Sequence, residues 1–184
     1  MQSQELRNLA RQLKDNLSRL QEKRSNWENH WQEISDYMLP RKAEITKQRA
    51  RGDKRNTQIF DATAVHALEL LAASLHGMLS SSANKWFSLR FKETELNDID
   101  ECKEWLEDAQ GRMYDAFGKS NFQQEIFEAY FDLIAFGTAC LMIEDDQEDT
   151  LIFSARHIKE IYIQENKKGY VDTLYRKFKM PAQA

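Results

Sequence analysis

A chain of 184 residues, 41% apolar and 30% charged, is long enough to bury a core of its own. Its formal net charge of −4 excludes a global field that would draw the whole molecule to nucleic acid or to an anionic membrane, so any such attraction has to be local. Cys102 and Cys140 lie far apart, with no second thiol at metal-ligand spacing, and read as two buried small hydrophobes in a reducing compartment.

The first residues, MQSQELRNLARQLKDN, carry no apolar run, so no signal peptide is expected. Leu6, Leu13, Leu20, Trp27 and Ile34 recur every seven residues, with Ala10, Leu17, Trp31 and Met38 four after most of them. That spacing predicts one helix over 1–40, stopped by Pro40, with a narrow apolar stripe that needs a partner in its own domain or on a neighbouring subunit. Trp27 and Trp31 are the expected anchors of the stripe. Residues 41–56, RKAEITKQRARGDKRN, hold seven cations (Arg41, Lys42, Lys47, Arg49, Arg51, Lys54, Arg55) against Glu44 and Asp53, and read as an exposed, mobile basic loop over 41–58.

Asp61 or Thr63 is placed to cap a second helix, VHALELLAASLHGML, ending near Gly77 and Ser80, in which Ala67, Ala72, Ala73 and Ser74 permit close packing. Residues 85–92, KWFSLRFK, alternate Phe87, Leu89 and Phe91 with Trp86, Ser88 and Arg90, the period of a half-buried strand. An acidic stretch over 93–108 leads into a third helix with Cys102, Trp105, Leu106, Ala109, Met113, Ala116 and Phe117 on one face, closed by Gly118. Ser120 or Asn121 caps a fourth, whose inward residues are Phe122, Ile126, Phe127, Tyr130, Leu133 and Ile134. The longest apolar stretch, 126–143, holds Glu128 and Asp132 and is broken by Gly137 and Thr138, which argues against a membrane span. Gly137 reads as the stop of the fourth helix and Thr138 as the start of a strand.

From there the apolar period falls from about four to two. Strands are expected at 138–143, 151–154, 158–163 and 170–180, joined by the acidic turn EDDQED and by NKKG, whose Gly169 supplies the turn, in one small antiparallel sheet. The predicted class is α+β, one domain over 1–184 with a helical body at 59–137 and strands at 138–180.

The search for chemistry returns little. There is no nucleophile elbow, phosphate-binding glycine loop, dinucleotide fingerprint or HExxH helix, and six glycines leave little material for phosphate cradles. Asp145, Asp146, Glu148 and Asp149 lack the glycine and closing glutamate of a calcium loop, and His66 and His76 have no third ligand beside them. No His or Lys lies near Cys140 to activate it. No catalytic residue, metal or cofactor is expected.

Taken in order, NWENHWQEISDYMLPRK, IFDATAVHALELLAASLHGMLSSSANKWFSLRF, SNF before a helix, DLIAFGTACLMIE and GYVDTLYRKFKM resemble the head-to-tail connector, or portal, proteins of short-tailed bacteriophages. The resemblance covers about 27–180. It implies a subunit of a ring of about twelve at the capsid vertex, made in the bacterial host cytoplasm and carried in the virion. Such a ring admits and retains double-stranded DNA, releases it at ejection, and meets capsid and scaffolding proteins, the terminase and a tail adaptor. Portals are much longer, so the resemblance also implies that this is their N-terminal, mostly wing-like part, without stem helices, tunnel loop and clip. Two other readings stay open on the residues: a small DNA-binding or nuclease-accessory protein using the 41–55 loop, and an enzyme with the acidic hairpin as a metal site. Salt-sensitive DNA affinity marks the first and loss of activity on chelation the second.

Overall fold

The computed structural model describes residues 2–50, 52–55, 57–146 and 150–182. Four helices are followed by two β-hairpins: α1 (Gln2–Met38), α2 (Thr63–Leu79), α3 (Asp100–Lys119), α4 (Phe122–Phe136), then β1 (Cys140–Asp146) with β2 (Thr150–Arg156), and β3 (Ile161–Glu165) with β4 (Val171–Arg176).

The 37-residue α1 ends as expected before Pro40, which opens a short 3₁₀ turn over Pro40–Lys42. Its apolar stripe does not run inward along the whole length. Leu6 and Leu13 are exposed, Leu20 is buried, and of the two expected anchors only Trp31 is in the core, with Trp27 58% exposed against 9% for Trp31. Trp27 lines an open groove between α1 and β3 and its ring is left largely uncovered, while Leu20 and Ile34 on the same row pack inward. The buried positions at this end are instead Trp31, Gln32, Ser35, Asp36 and Leu39.

The core gathers on α4, where Tyr130, Phe131, Ala135 and Phe136 meet Trp31 and Leu39, Leu68 and Ala72 of α2, and Ile158. In α2 only Leu68 and Ala72 are buried. Ala67, Ala73 and Ser74, expected at a close interface, face outward. Of the expected inward residues of α4, Leu133 is 45% exposed. Asp61 sits one residue before the cap position of α2, held by Ala62. Its carboxylate nevertheless accepts the N–H and hydroxyl of Thr63 at 2.9 and 2.7 Å, which keeps its pKa below the usual carboxylate value.

Residues 87–91 alternate in burial as predicted, but among the described residues no strand pairs with them. Side chains stand in for the missing ladder. Tyr114 Oη accepts from Phe87 N at 2.8 Å and donates to Phe87 O at 2.9 Å, Gln110 Oε1 accepts from Leu89 N at 3.2 Å, and Asn97 bonds Phe91 N and O at 2.9 and 3.0 Å. Helix α3 buries no residue completely, leaves Trp105 and Met113 exposed, and passes through Gly118 to end one residue later. Ser120, not Asn121, makes the side-chain bond at the start of α4, accepting Phe122 N at 3.2 Å. Asn121 instead bridges to β2, bonding both N and O of Phe153 at 2.8 Å.

Gly137 ends α4 in the left-handed conformation, φ 72°, its N–H on Leu133 O at 2.9 Å. Thr138 lies in the link to β1, which begins at Cys140. The expected single sheet is two separate two-stranded pairs, with Ile143 opposite Phe153 and Ile161 opposite Arg176. What separates them is a 3₁₀ turn, Ile158–Glu160, where a strand was expected to begin. His157 Nδ1 accepts Lys159 N at 3.1 Å and fixes that turn. The second hairpin turns at 166–169, with Gly169 at φ 78° and the Asn166 side chain accepting Lys168 N and Tyr170 N. The acidic turn at 147–149 lies outside the described residues.

Candidate functional site

The basic segment after α1 is the feature most suggestive of a binding site, and the fold puts most of its cations to internal use. Lys42 reaches α4, its Nζ 2.7 Å from Asp132 Oδ1 and 3.3 Å from Glu128 Oε2, while Arg41 pairs with Glu128 at 2.9 Å and lies 5.0 Å over the Phe131 ring. His157 Nε2 bonds the carbonyl of Lys42 at 2.8 Å. Asp132 is 2% exposed, and its Oδ2 has no hydrogen-bond partner among the described residues. Burial pushes its pKa up, against the pull of the Lys42 ammonium. Burial likewise pushes the His157 pKa down.

A second knot lies one turn back. The buried Gln32 amide oxygen accepts Ile45 N and Thr46 N, both at 2.9 Å, and its nitrogen donates to Asp36 Oδ1 and Ala43 O at 3.0 and 3.1 Å. Asp36 then pairs with Lys47 at 2.6 Å and Arg49 at 3.0 Å. Arg55 pairs with Glu44 at 2.9 Å. The expectation of an exposed loop holds at Arg41, Thr46, Lys47, Gln48 and Ala50 but not at Ala43, which is buried, nor at Lys42 and Arg49, whose side chains are only 16% and 18% exposed. Lys54 is exposed, and Arg51 lies outside the described residues. Gln32, Asp36, Glu128 and Asp132 were not singled out as partners in the sequence. The one available signal was the pair of acids, Glu128 and Asp132, interrupting an apolar helix.

A third polar knot joins α1 to the second hairpin. Arg24, the interruption in the apolar stripe, pairs with Glu28, donates to the carbonyls of Ile158, Lys159 and Ile161, and stacks 3.7 Å over the Tyr162 ring. Beside it opens a groove of about 540 Å³, floored by Trp31, Phe136 and Ile161 and edged by Trp27, Lys23 and Glu165. The Arg24 guanidinium that lines it is already committed to carbonyls and a carboxylate, and the groove is otherwise mostly apolar. Trp86 and Phe87 belong to a separate aromatic cluster. Trp86 stacks on Phe122 at 5.6 Å and Phe87 on Tyr114 at 4.4 Å, and Phe117 and Phe153 complete it.

Neither cysteine is disulfide-bonded, and both are partly covered, not fully buried as expected. Burial raises the Cys140 pKa, away from the thiolate that nucleophilic chemistry needs. His66 is exposed, and His76 meets Phe127 and Tyr130 edge-on. Among the described residues no three His, Cys, Asp or Glu side chains converge as metal ligands, and no helix is long and apolar enough to cross a membrane. The polar groups of these sites hold loops and hairpins to helices.

A portal protein of Salmonella phage epsilon15 is 33% identical over 165 residues, covering 89% of this chain and 30% of the relative. A probable portal protein of Bordetella phage BPP-1 is 36% identical over 162 residues, covering 88% of this chain and 29% of the relative. The chain thus spans about 30% of the length of these relatives. The profile of the family described as bacteriophage head to tail connecting protein matches residues 10–184, and the chain belongs to that family.

Proposed function

We propose that the chain is the N-terminal part of a portal subunit, a structural and non-catalytic component of a ring at one capsid vertex. In that reading it contacts other copies of the subunit, capsid and scaffolding proteins, the terminase and a tail adaptor. The completed ring surrounds double-stranded DNA during packaging, retention and ejection. The observation that carries the reading is the match to portal proteins across nearly all of the chain. The geometry supports a structural role, since the buried Asp132 and Asp36 and the half-buried Lys42 and Arg24 are spent on fastening elements together. The alternative of DNA binding through the 41–55 loop is less favoured, because Arg41, Lys42, Lys47, Arg49 and Arg55 already face carboxylates. Non-specific affinity for DNA is expected to be weak and to fade steeply with salt.

The test is made in the phage that carries the gene. Immunogold labelling with antibody to this chain should mark a single vertex, the tailed one, and interruption of the gene should leave unpackaged DNA and no full, tailed heads. Full, tailed particles without the chain would overturn the reading.

A further inference from the structure

We propose that Lys42 and Asp132 are the two reactants of an intramolecular isopeptide bond, with Glu128 as the base that promotes its formation. The bond forms within one chain and does not depend on the portal-subunit reading.

The three groups are brought together by the 3₁₀ turn after α1, Pro40–Lys42, and by one face of α4. Glu128 and Asp132 stand four positions apart on that helix, so their carboxyl groups share a face. Lys42 Nζ lies 2.7 Å from Asp132 Oδ1 and 3.3 Å from Glu128 Oε2. The lysine backbone is pinned on both sides. Its N–H donates to Leu39 O at 2.9 Å, and its carbonyl accepts Glu44 N at 2.9 Å and His157 Nε2 at 2.8 Å. An amine and a carboxyl held at contact distance need no encounter, and that removes the largest entropic part of the barrier to joining them.

In water the same two groups exchange a proton and stay apart as hydrated ions. Here the hydration is gone. Asp132 is 2% exposed, and its Oδ2 has no hydrogen-bond partner among the described residues. Burial pushes its pKa up against the pull of Lys42, and the Glu128 charge adds to the rise while Arg41 opposes it. The acid form of Asp132 is the electrophile that the reaction needs. Because Oδ1 faces the ammonium, the proton belongs on Oδ2, which becomes the leaving oxygen. Glu128 is the second carboxylate within reach of Nζ, steadied by Arg41 at 2.9 Å.

The steps balance without an oxidant, a reductant or a cofactor. The Lys42 ammonium gives one proton to Glu128, and the free amine attacks Asp132 Cγ. The nitrogen then gives a second proton to the Oδ2 hydroxyl. The Nζ–Cγ bond forms, the Cγ–Oδ2 bond breaks and one water leaves. Glu128, 27% exposed at its side chain, returns its proton to solvent. The product is an amide strap between the end of α1 and the middle of α4, 90 positions apart in the chain, and it persists when the fold is lost.

Mass spectrometry of the 184-residue chain in denaturant tests this, since denaturant separates an ion pair and leaves an amide intact. After incubation of the folded protein at neutral pH, a species lighter by one water should accumulate. Its tryptic digest should contain a branched peptide joining Lys42 to Asp132, with no cut after Lys42. Lys42→Arg should keep the full mass. Glu128→Gln retains both reactants and should slow the loss of water by roughly a hundredfold or more. Unchanged circular dichroism shows that each variant is folded. A parent that keeps its full mass would overturn the proposal and leave the portal reading standing. Loss of water without the branched peptide, as when an aspartate cyclises onto its own backbone, would overturn it as well. So would reaction of Glu128→Gln at the parent rate, which would refute the base.

Discussion

Trp27 and Trp31 sit four residues apart on the same helix and carry the same side chain, so truncating each to alanine isolates the effect of burial. A buried aromatic ring removes roughly 150–250 Å² from water. With about nine-tenths of its surface covered, Trp31 gains on the order of 4 kcal/mol at about 25 cal/mol per Å², before the cavity term is added and the compactness of the unfolded chain subtracted. Trp27 is covered over less than half its surface, and solvent refills its place, so on the same coefficient its loss should cost about 2 kcal/mol with no cavity term. For a chain of this size these translate to melting shifts of roughly 6–20 °C for Trp31→Ala, larger once the cavity is counted, and about 4–8 °C for Trp27→Ala. Helical circular dichroism is the appropriate signal, because fluorescence changes with the tryptophan count. Equal shifts for the two variants, or a larger one for Trp27→Ala, would refute the placing of Trp31, and not Trp27, in the core.

Lys42→Met should cost about 3 kcal/mol in urea unfolding, since it strands the buried Asp132 carboxylate, and adding Asp132→Asn should recover a large part of that; simple additivity of the two would show that the pair is not coupled. Limited trypsin digestion should cut after Lys54 and spare Lys42 and Arg49, whose side chains are held by acids; early cleavage at the latter two would contradict the pairing. The pKa of His157 is lower folded than unfolded, so the unfolded chain binds more protons near and just below pH 6.5. Its contribution is present above that pH and lost on acidification through the folded pKa, and His157→Gln should flatten this part of the stability profile measured by denaturant titration. Asp132 carries the opposite sign: its raised pKa makes protonation favour the fold just above the ordinary carboxylate value, so Asp132→Asn should gain stability relative to the parent as pH rises through that window when Lys42 is already absent.

What could be read in advance was local. Pro40 has no N–H to continue a helix, Gly137 tolerates a left-handed end, and Asn166 with Gly169 specifies a turn; each acts within a few residues of itself. The helices were visible for the same reason, through periodicity. The pairing of Lys42 with Asp132, 90 positions apart, depends on which face of α4 meets the end of α1, and nothing in either neighbourhood encodes it. Asn121 looks like a helix cap on its local sequence, yet β2 claims its amide. Residues 85–92 have a strand's alternation because one side faces α3, and alternation reports a half-buried extended chain whether or not another strand is alongside.

That side-chain ladder has a consequence for how the molecule opens. Cooperative unfolding follows the density of buried contacts, and α3 is attached unevenly. Its last turns are tied to α4 and β2 through Phe117, whereas its first turns hold the rest of the chain mainly through Trp105 against Phe91 and Gln110 against Leu89. Amide hydrogen exchange should therefore proceed from the Asp100 end of α3 together with residues 89–91, at a free energy well below that of global unfolding, while the amides of α4 exchange only when the whole fold is lost. A neighbour that clamps Trp105 would raise the protection of this one segment and leave the remainder of the exchange map as it was.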